Sequence, residues 1–300
     1  MLTRGPSEVG NPFINYLLPL AASDQLVLDG ILAIAGAHLT VNDTTDLNLE
    51  VATRGHFAKV LAGLQELLSS ESAQMISEDT KNTTSTRSSQ ILLILQLLCV
   101  YDHLQGNTRG AIYLHLKASR EYVSLLTSPS ESYDELAYLR GFLLEMYTYH
   151  AMKVALSPRN MIRENKVDID PSVHSLDLIS GYKSRGCLLG FGQRLFEMIP
   201  QIHRLVEARR EEEMLGLEST ILEERYHSLV AKLEALDAFE ENIEGSRTRQ
   251  ERARATLIYQ NALIVYLHSA FNKDMLSDAA LSAELEARLD KTMPTFFSLF

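Results

Sequence analysis

Tyrosine and histidine side chains supply most of the chemistry that this sequence offers. Tyr147 and His150 lie three residues apart within LLEMYTYH, a spacing that places both on one face of a helix. Tyr113 and His115 stand close together in a second helical segment. A tyrosine ring can line an apolar pocket while its hydroxyl orients one polar group of a ligand. We therefore predict a ligand-binding role for these four residues, although ordinary helix packing would explain each of them as well.

The sequence lacks the motifs of the common catalytic and metal sites. It contains no P-loop, no dinucleotide-binding glycine pattern, no Gly-x-Ser-x-Gly, no His-Glu-x-x-His and no EF-hand loop. Its two cysteines are too few for a metal cluster. We expect no catalytic residue, no metal and no cofactor. Four histidines lie in apolar helical segments without a second histidine at the i+4 spacing of a helical metal site: His38, His103, His115 and His150.

The composition argues against two classes of partner. The chain of 300 residues has 39 acidic and 28 basic side chains, a net charge of −11, whereas contacts to DNA or RNA need clustered lysine and arginine. The longest apolar run, Ile91 to Val100, has about half the length that a membrane-spanning helix requires. The first residues lack a secretory signal core. We therefore expect a soluble, intracellular chain that binds neither nucleic acid nor membrane.

Helices must position these side chains, because apolar residues recur at helical spacing and no sustained alternation predicts a sheet. We predict an all-α fold, a multi-helix globular bundle of about ten helices in a single domain over residues 1–300. Segment 24–40 is apolar on nearly every side, so we expect other helices to enclose it. The predicted helices lie near residues 12–20, 24–40, 46–69, 87–105, 108–127, 132–156, 187–209, 219–243, 248–272 and 278–290.

Two segments and one helical stripe have patterns of their own. Residues 70–88 are polar and rich in serine and threonine, which predicts a mobile surface loop, either a plain linker or a phosphorylated one. Residues 157–186 form a long crossover whose apolar residues we expect to pack onto the helices. One stripe within 219–243 is expected to face the core rather than a dimer partner, and consists of Leu222, Tyr226, Leu229, Leu233 and Leu236.

Five segments, taken in order along the chain, resemble one protein family. The first combines NPFINYLLPLA with GILAIAGAHL over residues 11–39. The other four are ATRGHFAKVLAGLQELL (52–68), ILLILQLLCVYDHLQGNTRGAIYLHLKASREYV (91–123), LLGFGQRLFEMIPQIHRL (188–205) and TLIYQNALIVYLHSAF (256–271). Together they resemble the fungal-specific transcription factor domain, the regulatory domain of fungal zinc-cluster transcription factors.

The chain departs from that family in two respects. Ile112 stands where the family often has tryptophan, ahead of His115 and Leu116, and the sequence contains no tryptophan at all. The six-cysteine zinc cluster that binds DNA is absent from these 300 residues. The resemblance therefore implies an all-helical effector domain of the nucleus that lacks its own DNA-binding module. The partners it implies are a small apolar ligand, a second copy of the chain or a protein of the transcription machinery.

Three functions follow as hypotheses. The first is regulation of transcription, by sensing a small ligand or by protein contacts, within fungal secondary metabolism. The second is a stand-alone protein of the same fold that binds a product or a partner in a biosynthetic pathway. The third is an enzyme recruited from this helical fold and acting on an apolar metabolite. In that enzyme Tyr147, His150 or His115 would serve as acid–base groups.

Overall fold

The structure is a computed structural model of the chain, and its helices fall into two compact units. The first unit ends at Leu188, and the described part of the second begins at Leu189. The prediction of a single domain over 1–300 stays a prediction. The residues that the structure describes are 11–42, 45–74, 81–106, 110–126, 137–156, 188–189, 192–217, 219–236, 246–272 and 279–297.

Within these residues the fold is all-α, as predicted, and consists of ten α-helices without a β-strand. A π-helical turn at Phe13–Leu17 leads into the first α-helix. The α-helices are α1 (Leu18–Ser23), α2 (Gln25–Asn42), α3 (Leu47–Gln74), α4 (Lys81–Leu104), α5 (Ala111–Leu126), α6 (Ala137–Ala155), α7 (Gln193–Leu215), α8 (Thr220–Glu234), α9 (Ser246–Phe271) and α10 (Ala279–Phe297).

Helix α4 is the central helix of the first unit. It contacts α2, α3, α5 and α6, and every residue from Ile91 to Cys99 is at most 2% exposed. A helix buried on all sides must be enclosed by others. The expectation that segment 24–40 holds this position is wrong, because α2 leaves Leu32 39% and Leu39 52% exposed. None of the described helices combines the length and the apolar character needed to cross a membrane.

Helix α2 lies close to α3 and α4 because glycines occupy the points of contact. A Cβ atom at Gly36 would lie 2.0 Å from Oγ1 of Thr53 in α3. A Cβ atom at Gly30 would lie 2.9 Å from Cδ1 of Leu97 in α4. The absence of a side chain at both positions therefore permits the helices to approach each other.

The first helices begin at residues whose side chains cap them. The Oδ1 atom of Asn11 accepts a hydrogen bond from the Phe13 amide at 3.0 Å. At the start of α2, Oδ1 of Asp24 accepts the amides of Leu26 and Val27 at 2.9 and 3.2 Å. These bonds pair amides that have no acceptor within their own helix.

Two predicted boundaries are wrong. The first helix does not end near residue 20: Pro19 lies in the first turn of α1, where no amide is needed, and α1 continues to Ser23. The segment predicted as a loop over 70–88 is helical at both ends, since α3 extends to Gln74 and α4 begins at Lys81. Its glutamate, glutamine and lysine residues are good helix formers even where they are polar. Residues 75–80 and the crossover predicted over 157–186 lie outside the described residues.

Helix α9 is the central helix of the second unit, where it contacts α7, α8 and α10. The stripe predicted on α8 faces the core of this unit, as expected. Each of its first four members is at most 7% exposed, namely Leu222, Tyr226, Leu229 and Leu233.

Candidate functional site

The last turn of α4 carries three consecutive polar residues, Tyr101, Asp102 and His103. Successive residues of an α-helix point about 100° apart, so the three side chains leave α4 in different directions. Each one contacts a different neighbouring helix of the first unit, namely α3, α5 and α6. The end of α4 therefore links three other helices through polar or aromatic side chains.

Tyr101 contacts α3. Its ring stacks on Phe57 with centroids 4.2 Å apart and an angle of 15° between the planes, and the residue is 8% exposed. Burial raises the pKa of Tyr101; Arg54 opposes this change, while the carboxylate of Asp102 reinforces it. The phenol is therefore protonated at neutral pH and is held in position by the stack.

A pocket of about 340 Å³ opens beside Tyr101. It lies where the end of α2, the start of α3 and the end of α4 meet. This volume falls in the range of pockets that bind small molecules. We call it the Tyr101 pocket, and its lining residues are Thr40, Val41, Asp46, Glu50, Thr53, Arg54, Tyr101, Leu104 and Gln105.

The close contact between α2 and α3 fixes one wall of the Tyr101 pocket. Thr53 is 3% exposed and fits against Gly36 of α2. Its hydroxyl donates a hydrogen bond to the carbonyl oxygen of Leu49 at 2.7 Å, which fixes its rotamer. The start of α3 is fixed as well, because Oδ1 of Asp46 accepts hydrogen bonds from the amides of residues 48 and 49, both at 3.0 Å. The wall is therefore preorganised.

The charged groups that line the Tyr101 pocket among the described residues are two carboxylates and one guanidinium. Glu50 and Arg54 form an ion pair with 2.5 Å between Oε1 and Nη2, and their side chains are 42% and 73% exposed. An exposed pair one helical turn apart contributes only about 0.3–0.5 kcal/mol to stability. Apolar surface comes from Val41, Leu104 and the Tyr101 ring. The pocket thus presents both a charged and an apolar wall.

Asp102 contacts α5 through His115. The Nε2 atom of His115 lies 3.2 Å from Oδ2 of Asp102, and both side chains are largely buried. This Oδ2 atom makes no aligned hydrogen bond to any described residue, although it lies within ion-pair distance of the imidazole. The same two helices are also joined by a buried hydrogen bond, in which Gln96 of α4 donates to the hydroxyl of Ser119 in α5 at 2.9 Å. The predicted residue His115 therefore has a structural partner in α4.

His103 contacts α6 through Lys153. Its Nε2 atom lies 2.8 Å from the Lys153 ammonium nitrogen, which also sits 5.0 Å from the centre of the Tyr149 ring. Burial lowers the pKa of Lys153 to about 8. The predicted residue His150 is 5% exposed, and its Nδ1 atom is buried without a hydrogen-bond partner among the described residues. Burial, together with Lys153 and His103, lowers the pKa of His150 to about 3, so its ring is neutral at physiological pH.

Tyr113 and Tyr147, the two predicted tyrosines, belong to the hydrophobic core of the first unit. Tyr113 is 4% exposed and Tyr147 is 2% exposed. Neither tyrosine lines the Tyr101 pocket, nor does His115 or His150. The structure therefore does not gather the four predicted residues around this pocket, and their role in ligand binding stays a prediction.

Sequence reasoning missed the residues that do line the pocket. Tyr101 follows directly after the apolar run ILLILQLLCV, and it opens a polar triplet at the end of that helix. A polar triplet at the end of a buried helix was the available signal, because its side chains must find partners on several neighbouring elements. Glu50, Thr53 and Arg54 gave no comparable signal, since their spacing is that of any amphipathic helix.

The second unit has a buried polar cluster of its own. The Tyr226 hydroxyl hydrogen-bonds Nδ1 of His268, and Asn272 donates to the same hydroxyl at 3.1 Å. The Tyr226 ring stacks on Phe271 at 4.3 Å, and the guanidinium of Arg209 lies 4.9 Å from the centre of the Phe271 ring. Burial raises the pKa of Tyr226 and lowers that of His268. This cluster joins α7, α8 and α9 within the unit.

Among the described residues no group of three or more histidine, cysteine, aspartate or glutamate side chains could hold a metal ion.

Comparison with known proteins identifies the family. No curated protein and no solved structure matches the chain. The family model described as the fungal specific transcription factor domain matches residues 1–293. The chain therefore belongs to the fungal specific transcription factor domain family, and its role is in the regulation of transcription, a nuclear process.

Proposed function

We propose that the chain regulates transcription as an effector domain that responds to a small ligand bound in the Tyr101 pocket. The observation that carries this proposal is the position of the pocket at the last turn of α4. That turn contacts α3 through Tyr101, α5 through Asp102 and α6 through His103. A ligand against Tyr101 would therefore act on the helix that organises the whole first unit.

The physical basis is a difference in affinity between two arrangements of the first unit. A ligand shifts a conformational equilibrium only when it binds one state more tightly than the other. The last turn of α4 is suited to such a difference, because it links three neighbouring helices through only a few side chains. The response reaches the transcription machinery through protein contacts or through a second copy of the chain.

Proteins, rather than DNA, are the macromolecular partners that we propose for these residues. Their net charge of −11 opposes contact with phosphates. The chain would act in the nucleus while another module or protein holds it at a promoter. Secondary metabolism is the setting that we propose for this regulation.

The test compares two tryptophan substitutions in a transcription reporter. The chain is fused to an unrelated DNA-binding domain, and reporter output is measured for the parent, Val41→Trp and Val51→Trp. Val41 is 60% exposed and lines the Tyr101 pocket, whereas Val51 is 70% exposed and does not line it. We expect Val41→Trp to change the reporter output at least severalfold by filling the pocket, and Val51→Trp to match the parent.

Native mass spectrometry of the same three purified proteins provides the second measurement. A small molecule that co-purifies with the parent and with Val51→Trp, but not with Val41→Trp, would support the proposal. Equal reporter output from all three proteins, each with the parent's circular dichroism spectrum, would refute it.

A further inference from the structure

We propose that the Tyr101 pocket recognises a protonated amine carried on a small apolar body. This inference names the ligand class for the proposed function and rests on it. Within the described part of the chain, the charged side chains of the lining are Asp46, Glu50 and Arg54, with a summed charge of −1 and no lysine among them. An anionic ligand would meet two carboxylates and a guanidinium that is already paired with Glu50.

The ends of the surrounding helices add to the negative potential. Thr40 and Val41 belong to the last turn of α2, while Leu104 and Gln105 mark the end of α4. The carbonyl groups at a helix C-terminus carry a partial negative charge of roughly half an electron. The helix N-terminus at the pocket, that of α3, is already capped by Asp46. Two helix ends therefore favour a cation, and the opposing end is neutralised.

The carboxylates are available to a ligand at little cost. Arg54 is 73% exposed and sits one turn from Glu50, so its ion pair contributes little to stability. Asp46 uses the same oxygen, Oδ1, for both amides that it caps. An ammonium group can thus approach Glu50 in competition with Arg54, and Asp46 through Oδ2, without breaking a buried bond.

The opposite wall suits an apolar body. The Tyr101 ring is fixed by its stack on Phe57, and Val41 and Leu104 extend the apolar surface. A tyrosine face also attracts a cation that lies within about 6 Å of its centre. The volume of about 340 Å³ accommodates one ring with a short chain.

The test uses three probes that share a phenylethyl body and differ in the head group: 2-phenylethylammonium, 2-phenylethanol and 3-phenylpropanoate. Binding to the full 300-residue chain is measured by calorimetry at about 50 mM salt, where charge interactions are screened less than at physiological salt. We expect the ammonium probe to bind at least tenfold more tightly than either of the other two, and to weaken as the salt concentration rises.

Matched variants locate the effect. Glu50→Gln removes a lining carboxylate, and Asp46→Asn does so while keeping a good capping residue. Glu66→Gln removes an exposed carboxylate of α3 that does not line the pocket. We expect each pocket variant to lower the affinity for the ammonium probe by about tenfold, the loss of one charge-assisted hydrogen bond, and Glu66→Gln to leave it unchanged.

The outcomes separate this inference from the proposed function. Equal binding of 2-phenylethanol, preferential binding of 3-phenylpropanoate, or an unchanged affinity in both pocket variants would overturn the amine assignment. A pocket that binds none of the probes also overturns it. In each case the proposed function still stands if Val41→Trp and Val51→Trp differ in reporter output, and it falls if they do not.

Discussion

Single buried polar residues stabilise the helix contacts of the first unit, and Asp29 shows how. Its Oδ1 atom lies 2.6 Å from Nδ1 of His56 and 3.9 Å from the Lys59 ammonium, while Gln25 donates to Oδ2 at 3.2 Å. Burial would raise the pKa of Asp29, but the hydrogen bonds from His56 and Gln25 and the charge of Lys59 outweigh it and lower the pKa. The contact joins α2 to α3.

Replacing Asp29 tests this contact. We expect Asp29→Asn to lower the free energy of unfolding by about 1–3 kcal/mol, because a charged acceptor of buried hydrogen bonds is lost. The stabilisation by Asp29 is present above the pKa of an unfolded aspartate, about 3.9, and is lost as pH falls through the lowered value. The loss of stability in Asp29→Asn is measured by urea unfolding, with hydrogen exchange in α2 and α3 as the readout. Glu66→Gln, an exposed change on α3, serves as the control.

His150 provides a second prediction about the loss of stability at low pH. Its folded pKa of about 3 lies below the value of about 6.5 in an unfolded chain, so the unfolded state takes up a proton first as pH falls. We expect stability to decline below about pH 6.5, and His150 to account for about 2 kcal/mol of the loss between pH 7 and pH 5.

Hydrogen exchange of α6 at several pH values measures the His150 effect within the first unit. His150→Phe removes the titrating group while keeping a ring of similar size, so the loss between pH 7 and pH 5 should shrink by about 2 kcal/mol. Equal pH slopes for parent and His150→Phe would contradict the assignment.

At the scale of the element, two glycines distinguish the contribution of helix packing to stability from that of helix propensity. A Cβ atom added at Gly36 would lie 2.0 Å from Oγ1 of Thr53, whereas a Cβ atom added at Gly55 would meet nothing within 4 Å. Alanine is a better helix former than glycine by about 1 kcal/mol. Gly55→Ala should therefore raise stability by up to about 1 kcal/mol, and Gly36→Ala should lower it despite the same gain in propensity.

Urea unfolding of the two alanine variants provides the measurement. The Gly36→Ala/Thr53→Ala double variant adds a control, because removing the Thr53 side chain relieves the clash. We expect the double variant to lose less stability than the two single changes added together. Additive effects would show that the approach of α2 and α3 does not depend on Gly36.

The sequence predicts the helices better than their ends. The cap at Asp24 is recognisable because an aspartate before an apolar run has one favoured use, and α2 begins there. The predicted end of α7, at residue 209, is too early. The polar residues beyond it remain helical until Gly216, whose φ of 64° closes the helix, with the Leu217 amide bonded to the Glu212 carbonyl at 2.9 Å.

The candidate site is less predictable than the helices because it combines three helix ends. Val41, Glu50 and Leu104 lie on α2, α3 and α4 and meet only through tertiary packing. Periodicity indicates which face of a helix is buried, but it does not say which neighbour covers that face. Tyr147 and His150 stand out by their spacing, and the same spacing serves core packing, as the burial of both residues shows.

At the scale of the whole molecule, each unit has its own central helix and its own buried polar cluster. The first unit combines α4 with the contacts of Asp102 and His103, and the second combines α9 with the hydrogen bonds of Tyr226. Each cluster links helices within its own unit.

The charge of the whole molecule leads to a last prediction, that these 300 residues do not bind DNA by themselves. Electrostatic binding to phosphates relies on lysine and arginine, and its affinity falls steeply with salt because counterions are released. With 39 acidic and 28 basic side chains, the net charge of −11 opposes association with a duplex. We expect no saturable change in the fluorescence anisotropy of labelled duplex DNA at micromolar protein and about 50 mM salt.

The reporter fusion supplies the positive control for this measurement, because its attached DNA-binding domain should bind the same duplex when the duplex carries its site. If the unfused chain bound DNA saturably, with a logarithmic affinity that declined linearly with logarithmic salt concentration, contact with phosphates would be established and the prediction would be wrong. If only the fusion binds, regulation by this chain depends on being held at a promoter. In the proposed function, a ligand in the Tyr101 pocket would then change transcription through protein contacts.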